Sequence, residues 1–166
     1  QSGFPDTGYR LLADREIWLP GEDCPYFVGE FVNADGTEHS LCPRTRLSAI
    51  QSEFAKLGLT IKSGLEYEFF VFKETPQSIR DKSYQDLLPL TPGNFGYSVI
   101  RTSAESELFS GLMDYARDIG CDIEGLHCET GPGVWEAALK PSIGVRSADD
   151  AALRKTVSKL YFKTED

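Results

Sequence analysis

The sequence predicts an α+β domain in which helices flank a sheet that contains antiparallel strands. Two observations support this class. Extended and helical segments follow each other in the order βαβ, then a long connection, then αββα. The strands predicted at 121–129 and 133–140 meet at the short turn "TGPG". A turn this short joins antiparallel neighbours, whereas parallel strands need a long crossover, so the hairpin favours α+β over α/β.

The first part of the chain is predicted to contain two strands and a helix. The strands are "EIWLP" (16–20) and "PYFVGEFVNADGT" (25–37), and the second ends in a turn where Gly36 takes a positive φ. Residues 43–59 carry apolar side chains at helical spacing, and Gly58 is expected at the C-terminal cap of that helix.

Residues 60–72, "TIKSGLEYEFFVF", are predicted as a strand that becomes buried from its paired phenylalanines onward. Phe70 and Phe72 are expected in the core of the sheet. Glu66 and Glu68 stand at the entrance of this strand with one residue between them. Burying an unpaired carboxylate is costly, so two carboxylates at this place call for a compensating partner.

The second part is predicted to contain two helices around the hairpin. Residues 73–98 form a long connection, and connections of this length are uncommon unless they are functional. Residues 103–120 and 147–162 are predicted as helices, each N-capped by the serine with which it begins.

Composition limits the class of protein. The chain has 166 residues, which suits a single domain, and its formal net charge of −9 argues against nucleic acid and anionic membranes as partners. No apolar run is long enough for a transmembrane helix, and the start does not resemble a signal peptide.

Because the chain begins with Gln, we expect a trimmed or partial chain. Its four cysteines include no C-x-x-C pair, which favours reduced thiols in a cytoplasmic protein.

The acidic residues suggest a metal site. In a strand, residues i and i+2 point to the same face about 7 Å apart, so Glu66 and Glu68 suit one carboxylate for each of two neighbouring divalent ions. Glu129 and Glu136 flank the "TGPG" turn, and both could face one cation. Hard carboxylate oxygens without a matched His/Cys set favour Mg²⁺ or Mn²⁺ over Zn²⁺.

Each of these residues also has a simpler interpretation. The glutamates could be solvated strand residues, Glu124 included, and Tyr97 could be a packed loop aromatic. For His127 and Cys128, a core histidine beside a buried thiol is favoured over a zinc pair. Glu124 and Glu129 fall on opposite faces of a regular strand, so only a bulge would bring them together.

Four segments together resemble the glutamine synthetase family. "GLEYEFFVF" resembles the family's E-x-E-F-F strand, and "IEGLHCETGPGVWEAAL" resembles its acidic hairpin. "SADDAALRKTV" is similar to the helix that follows, and "PLTPGNFGYS" is similar to a segment of bacterial glutamine synthetase-like ligases. The segments occur in family order over most of the chain, from about residue 25 to residue 159.

The resemblance implies an ATP-dependent ligase. In this family ATP phosphorylates the γ-carboxylate of glutamate, and ammonia or another amine then displaces the phosphate. The residues that match functional positions divide into ligands of the substrate-side Mg²⁺ or Mn²⁺ (Glu68, Glu129, Glu136), one ligand of the ATP-side ion (Glu66), a nucleotide-pocket acid (Glu124) and a tyrosine near the amine entrance (Tyr97). Glu129 would also help to hold the amine.

The resemblance further implies that residues 1–166 are the first part of a catalytic domain. The small N-terminal domain would be absent, as would the C-terminal remainder with its H-x-H strand and phosphate-binding arginines. We therefore expect the isolated chain to be inactive and the full-length protein to be a cytoplasmic homo-oligomer. Val134 and Cys128 replace a Gln and a His that are common in the family, which leaves polyamines and alkylamines open as substrates.

Two other function classes stay open at this point. A non-catalytic relative could serve as a structural or binding protein, although such relatives tend to lose the acidic ligands. A phosphotransferase of ATP-grasp or guanido-kinase type would share the carboxylate chemistry, but the chain contains no Gly-rich phosphate loop.

Overall fold

The structure is a computed structural model that describes residue 3 and residues 6–164, with side chains through residue 162. The described strands are β1 (Gly8–Leu11), β2 (Ile17–Trp18), β3 (Pro25–Tyr26), β4 (Gly29–Val32), β5 (Lys62–Ser63), β6 (Glu66–Phe70), β7 (Ile123–Cys128), β8 (Val134–Leu139) and β9 (Ser142–Ile143). The described helices are α1 (Pro43–Lys56), α2 (Pro76–Asp81), α3 (Val99–Ala104), α4 (Ser106–Asp118) and α5 (Val145–Thr164). The α+β class is confirmed.

The central feature is a three-stranded antiparallel sheet in the order β6-β8-β7. Helices α4 and α5 cover one of its faces. Trp135 on β8 is fully buried and stacks on Phe109 of α4, with ring centroids 3.6 Å apart. The hydroxyl of Tyr161 on α5 donates to the Leu108 carbonyl of α4 at 2.7 Å, which joins the two helices. The other face of the sheet is free of these helices.

Alternation along β6 decides which side chains enter the core. The Tyr67 hydroxyl donates to the Ala151 carbonyl of α5 at 2.9 Å, and the Phe69 ring lies 5.8 Å from that of Phe162. Phe70, in contrast, is 63% exposed, so the prediction that it lies in the core is wrong. Strand residues alternate between faces, and Phe70 therefore shares the open face with Glu66 and Glu68. Phe72 is half-buried and stacks on Phe70 at 6.0 Å.

A second apolar cluster ties the first strands to the helices. It contains Ile17 of β2, Ile119 and Cys121 after α4, and Leu153 and Val157 of α5. Salt bridges lie beside it: Asp150 accepts from Arg15 at 2.6 Å and from Arg146 at 2.8 Å. Apolar packing and charge therefore fix α5 against β2 and the segment that follows α4.

Several predicted boundaries differ from the structure. The segment 16–20 keeps only β2, the segment 25–37 divides into β3 and β4, and the segment 60–72 divides into β5 and β6. The helix predicted at 103–120 is two helices, α3 and α4, separated at Glu105, where φ is −111°. Ser103 therefore lies inside α3, and Ser98 caps that helix by accepting from the Arg101 N–H.

Other predicted features match well. α1 ends at Lys56 and is followed by Gly58 with φ of +73°, as expected for a C-terminal cap. Gly36 takes its predicted positive φ of +81°. By contrast, α5 begins at Val145, so Ser147 lies inside the helix and the prediction that it forms the N-cap is wrong; its hydroxyl donates to the Ser63 carbonyl at 3.0 Å. None of the helices in the described ranges is both long and apolar enough to cross a bilayer.

Glu74 organises the long connection between β6 and α3. Its side chain is 2% exposed and pairs with Lys82. It also accepts from the Ser78 hydroxyl at 2.5 Å and from the Leu88 N–H at 2.8 Å. These donors, Lys82 foremost, lower the pKa of Glu74 to about 2. One carboxylate thus links α2 to the backbone that returns toward the sheet.

We predict that Glu74→Gln lowers the melting temperature at neutral pH but has no effect near pH 2. The folded-state pKa of Glu74 lies below its ordinary value of 4.5, so its stabilisation is present above about pH 4.5 and is lost as the pH falls toward about 2. Thermal unfolding followed by circular dichroism across this range measures it, with Glu107→Gln on α4 as the control. An equal gap between wild type and Glu74→Gln at pH 2.5 and pH 7 would contradict this role.

We also predict that two neighbouring substitutions on β6 differ sharply. Phe69→Ala opens the core beneath α5 and should cost about 3 kcal/mol of unfolding free energy. Phe70→Ala removes an exposed side chain and should cost less than about 1 kcal/mol. Urea unfolding of the two variants measures the difference. Equal losses would mean that the assigned faces of β6 are wrong.

Candidate functional site

Sheet register places three polar side chains in a row on the open face. Glu136 of β8 lies opposite Glu68 of β6 on one side and opposite His127 of β7 on the other. Paired residues of antiparallel strands lie about 4.5–5.5 Å apart at Cα, so these three side chains are neighbours. Each alternates with a core residue such as Trp135, which keeps the row on the face away from the helices.

The hairpin turn brings Glu129 to the same row. Its backbone N–H donates to the Val134 carbonyl at 2.9 Å, and its Oε2 accepts from the Thr130 N–H at 2.7 Å. Gly133 makes the turn possible: its φ is +70°, and a Cβ there would lie 2.7 Å from the Val71 carbonyl oxygen. The turn therefore directs Glu129 back toward Glu136.

His127, Glu129 and Glu136 form the closest group of this site. The Nε2 atom of His127 lies 3.4 Å from Glu129 Oε1 and 3.6 Å from Glu136 Oε2. One ligand atom of each residue lies within 4.8 Å of the others. Both carboxylates are largely shielded from solvent, with side-chain exposures of 13% and 14%. Shielded charges at this spacing favour a cation between them.

Tyr97 closes one side of the group. Its ring stacks on that of His127, with centroids 4.8 Å apart and planes inclined by 17°. Its N–H donates to the Cys128 carbonyl at 2.7 Å, and its φ of +59° is unusual for a residue other than glycine. The long connection therefore returns to the hairpin and delivers Tyr97, 69% exposed, to the edge of the site.

The two hairpin carboxylates have opposite pKa shifts. Hydrogen bonds from the Tyr97 hydroxyl and the Thr130 N–H lower the pKa of Glu129. The same contact and the neighbouring acids raise the pKa of Tyr97. Burial, followed by repulsion from Glu66, raises the pKa of Glu136. Glu129 thus has donors that stabilise its charge, whereas the charge of Glu136 would be stabilised by a cation.

Glu66 and Glu68 lie beside this group rather than within it. Both are exposed on β6, and Glu66 lies opposite Ala138, one step along the face from the pair of Glu68 and Glu136. Their charges reach Glu136, whose pKa they help to raise. The structure therefore places all four predicted metal-binding glutamates on one face, with Glu129 and Glu136 within 4.8 Å of each other and the other two on the neighbouring strand.

Glu124 lies at a different place. β7 has a register shift between Ile123 and Gly125, but this irregularity does not bring Glu124 to Glu129. Glu124 lines an open cavity of about 440 Å³ together with Arg117 of α4 and Lys140. It is not a member of the close group around Glu129. Its assignment to a nucleotide pocket stays a prediction.

The sequence interpretation missed His127, which was taken for a core histidine. Its ring lies on the open face, because the alternating neighbour Cys128 is the residue that enters the core, at 3% exposure. The Cys128 thiol lies 3.3 Å from the Phe95 carbonyl. The pattern H-x-E beside a predicted hairpin could have identified His127, since residues i and i+2 share a face.

Cys128 and Val134 are the two positions at which the sequence departs from the family it resembles. Both are buried, at 3% and 5% exposure. That these departures leave polyamines and alkylamines open as substrates stays a prediction.

The residues present fit a divalent cation. Two shielded carboxylates and one imidazole nitrogen converge, with a third carboxylate, that of Glu68, opposite Glu136. Carboxylate oxygens bind Mg²⁺ and Mn²⁺, and imidazole is added readily in sites for Mn²⁺ and later transition ions.

Comparison with known proteins identifies related chains. Residues 40–165 match the family model of the glutamine synthetase catalytic domain. A type-1 glutamine synthetase 2 of Dictyostelium discoideum is 36% identical over 159 residues, which are 95% of this chain and 30% of that protein. A glutamate–isopropylamine ligase of Pseudomonas sp. is 27% identical over 93% of this chain and 34% of that protein. The chain thus spans about a third of the length of these curated relatives.

Solved structures show the same fold. A GmaS complex with ADP is similar over 99% of this chain and 37% of that chain, with a TM-score of 0.78 at 18% sequence identity. At this identity the likeness concerns the fold alone. The helices and antiparallel strands described above therefore match one part of a larger catalytic domain.

We predict that Tyr97→Phe raises the pKa of Glu129 toward its ordinary range. The substitution keeps the ring that stacks on His127 but removes the hydroxyl that stabilises the carboxylate. Carbon-13 NMR titration of side-chain-labelled glutamate, with Glu129→Gln used to assign the signal, measures the shift. Tyr84→Phe, on an exposed ring, is the control. An unchanged pKa would mean that the Tyr97 hydroxyl does not bind Glu129 in solution.

Proposed function

The chain belongs to the glutamine synthetase catalytic-domain family, and on this premise we propose that it forms part of the active site of an ATP-dependent carboxylate–amine ligase. The reaction would join ammonia or another amine to the γ-carboxylate of glutamate through a γ-glutamyl phosphate. The observation that supports this proposal is the convergence of Glu129 and Glu136 with His127 on the open face of the sheet.

Glu68, Glu129 and Glu136 would hold the substrate-side divalent ion, and Glu66 would contribute one ligand to the ATP-side ion. When bound, such ions neutralise the charge of the phosphates and of the reacting carboxylate, on which phosphoryl transfer depends. The assignment is supported by the sheet register, which brings Glu66, Glu68 and Glu136 to one face, and by the hairpin turn, which adds Glu129. Strands β6, β7 and β8 carry no basic side chain on this face other than His127.

Glu129 has a second use in this proposal. The Tyr97 hydroxyl and the Thr130 N–H favour its ionised form, and one of its oxygens can accept an N–H from an ammonium or amine. Tyr97 lies at the exposed edge of the site, so it would shape the path by which the amine reaches Glu129. Glu124, in its separate cavity with Arg117, would contact the nucleotide.

We propose that this activity belongs to the longer protein, as a homo-oligomer in the cytoplasm, and that the 166 residues alone are inactive. The chain spans about a third of its curated relatives, and the four acids form only part of the charge-stabilising groups that phosphoryl transfer requires. The identity of the amine stays open, since the relatives include a glutamine synthetase and an isopropylamine ligase.

A non-catalytic family member with a structural or binding role is the second candidate. Retention of two shielded carboxylates with one oxygen of each within 4.8 Å of the other counts against it, because such a pair is costly without a cation. Activity of the longer protein separates the two candidates.

We predict that a full-length parent forms γ-glutamyl product from glutamate, ATP and an amine with Mg²⁺ or Mn²⁺. Glu129→Gln should reduce kcat at least about a hundredfold, as is usual when one transition-state electrostatic contact is removed. Glu107→Gln, on the exposed surface of α4, should have no effect. Product is measured by mass spectrometry and phosphate release, and the 166-residue chain should give neither. Full activity of Glu129→Gln would contradict the assignment, as would amine-dependent turnover by the short chain.

A further inference from the structure

The buried carboxylate of Glu74 is a feature that the proposed function does not use. Its side chain is 2% exposed, and it pairs with Lys82 and accepts from the Ser78 hydroxyl, both in or next to α2. It also accepts from the N–H of Leu88, which lies 14 positions further along the chain. A buried charge is costly unless its partners compensate for it, so the choice of these partners calls for an explanation.

Segment 88–91 runs beside the end of β6 as an additional extended row. The Lys73 N–H donates to the Leu88 carbonyl at 2.8 Å, and the Leu90 N–H donates to the Val71 carbonyl at 2.9 Å. The Leu90 side chain, 8% exposed, belongs to the core cluster of the sheet. The bond from the Leu88 N–H to the buried carboxylate therefore adds a charge-assisted anchor at the first residue of this segment.

The hairpin turn packs directly against this segment. The Gly133 N–H donates to the Thr91 carbonyl at 2.9 Å, and the Val71 N–H donates to the Gly133 carbonyl at 2.9 Å. A Cβ at Gly133 would lie 3.0 Å from Pro89 Cβ and 3.5 Å from the Leu90 nitrogen, so little space separates the turn from the segment. A displacement of the segment would therefore displace the turn.

Two side chains of the candidate site depend on these contacts. The Val134 carbonyl, next to the turn, accepts the Glu129 N–H at 2.9 Å. Toward Tyr97, the chain passes so close to the hairpin that a Cβ at Gly96 would lie 2.9 Å from the Thr130 hydroxyl oxygen. The Tyr97 hydroxyl then binds Glu129 and lowers the pKa of this carboxylate. The position of the segment thus bears on both partners of this contact.

We propose that Glu74 is a positioning residue for the candidate site. Its bond to the Leu88 N–H holds segment 88–91 against the hairpin turn. The turn and the segment together set the contact between Tyr97 and Glu129. The inference rests on the proposed function only in that this contact prepares Glu129 for the amine.

The alternative is that the carboxylate serves α2 alone, through Lys82 and Ser78. Three substitutions separate the two roles. Glu74→Ala removes every contact of the side chain. Glu74→Gln loses the charge but keeps a carbonyl oxygen that can accept the Leu88 N–H. Lys82→Met removes the cation and leaves the bond to Leu88 in place.

Two measurements on the 166-residue protein report on the site without any ligand. Carbon-13 titration gives the pKa of Glu129, with Glu129→Gln used to assign the signal, and hydrogen exchange gives the protection of the Gly133 N–H. In Glu74→Ala we expect the Glu129 pKa to rise toward its ordinary range, because the donors that stabilise its charge lose their fixed positions. We expect the Gly133 N–H to exchange at least about tenfold faster relative to the Cys121 N–H, which is bonded at the end of α4.

Glu74→Gln and Lys82→Met should keep wild-type values in both measurements, although both variants should melt at a lower temperature. Leu88→Pro removes the N–H donor but leaves the pair of Glu74 and Lys82, and it should reproduce both changes expected in Glu74→Ala. Circular dichroism identifies the variants that are folded.

Wild-type values in folded Glu74→Ala would overturn the inference, as would wild-type values in folded Leu88→Pro. Equal changes in Lys82→Met would overturn it too, because the site would then respond to a loss of stability in α2 alone. Neither result bears on the proposed function, which is judged by product formation in the full-length parent. In an active parent, Glu74→Ala should reduce kcat at least about tenfold and Glu74→Gln should not.

Discussion

The burial of Trp135 is the constraint on which the candidate site depends. This ring is fully enclosed between β8 and α4, where it stacks on Phe109. Because strand residues alternate between faces, the position of Trp135 forces Glu136 to the open face. Sheet register then brings Glu68 and His127 beside Glu136. A slip of one residue would exchange the core and the site, so packing energy and site geometry are determined together.

The groups around Glu129 and Glu136 determine how well each carboxylate charge on the open face is stabilised. Glu129 is stabilised by donors from Tyr97 and Thr130, whereas Glu136 is shielded and near other carboxylates. The difference arises from one tight turn and one returning loop. Gly133 allows the turn, and Glu74 anchors the loop that ends at Tyr97. Residues distant in sequence thus set the chemistry of two glutamates that are seven positions apart.

Much of this arrangement could be predicted from the sequence. The shared face of Glu66 and Glu68 follows from strand periodicity, and the hairpin around Glu129 follows from its glycines. Phe70 was misplaced because four apolar residues in a row conceal the period of two, which only the partner strand and α5 resolve. The break at Glu105 was not predicted, because no Gly or Pro marks it in the sequence. His127 does have a local signal, the H-x-E spacing that gives it the same face as Glu129, whereas its stacking on Tyr97 depends on a distant loop.

The family assignment and the geometry lead to one central claim, that this face of the sheet binds a divalent cation. Anomalous diffraction from crystals of the chain grown with Mn²⁺ tests it most directly. The account predicts a peak bonded at about 2.2 Å to carboxylate oxygens of both Glu129 and Glu136. A fully soaked crystal with ordered side chains and no peak there, or with a peak only at other acidic residues such as Asp149, would contradict it.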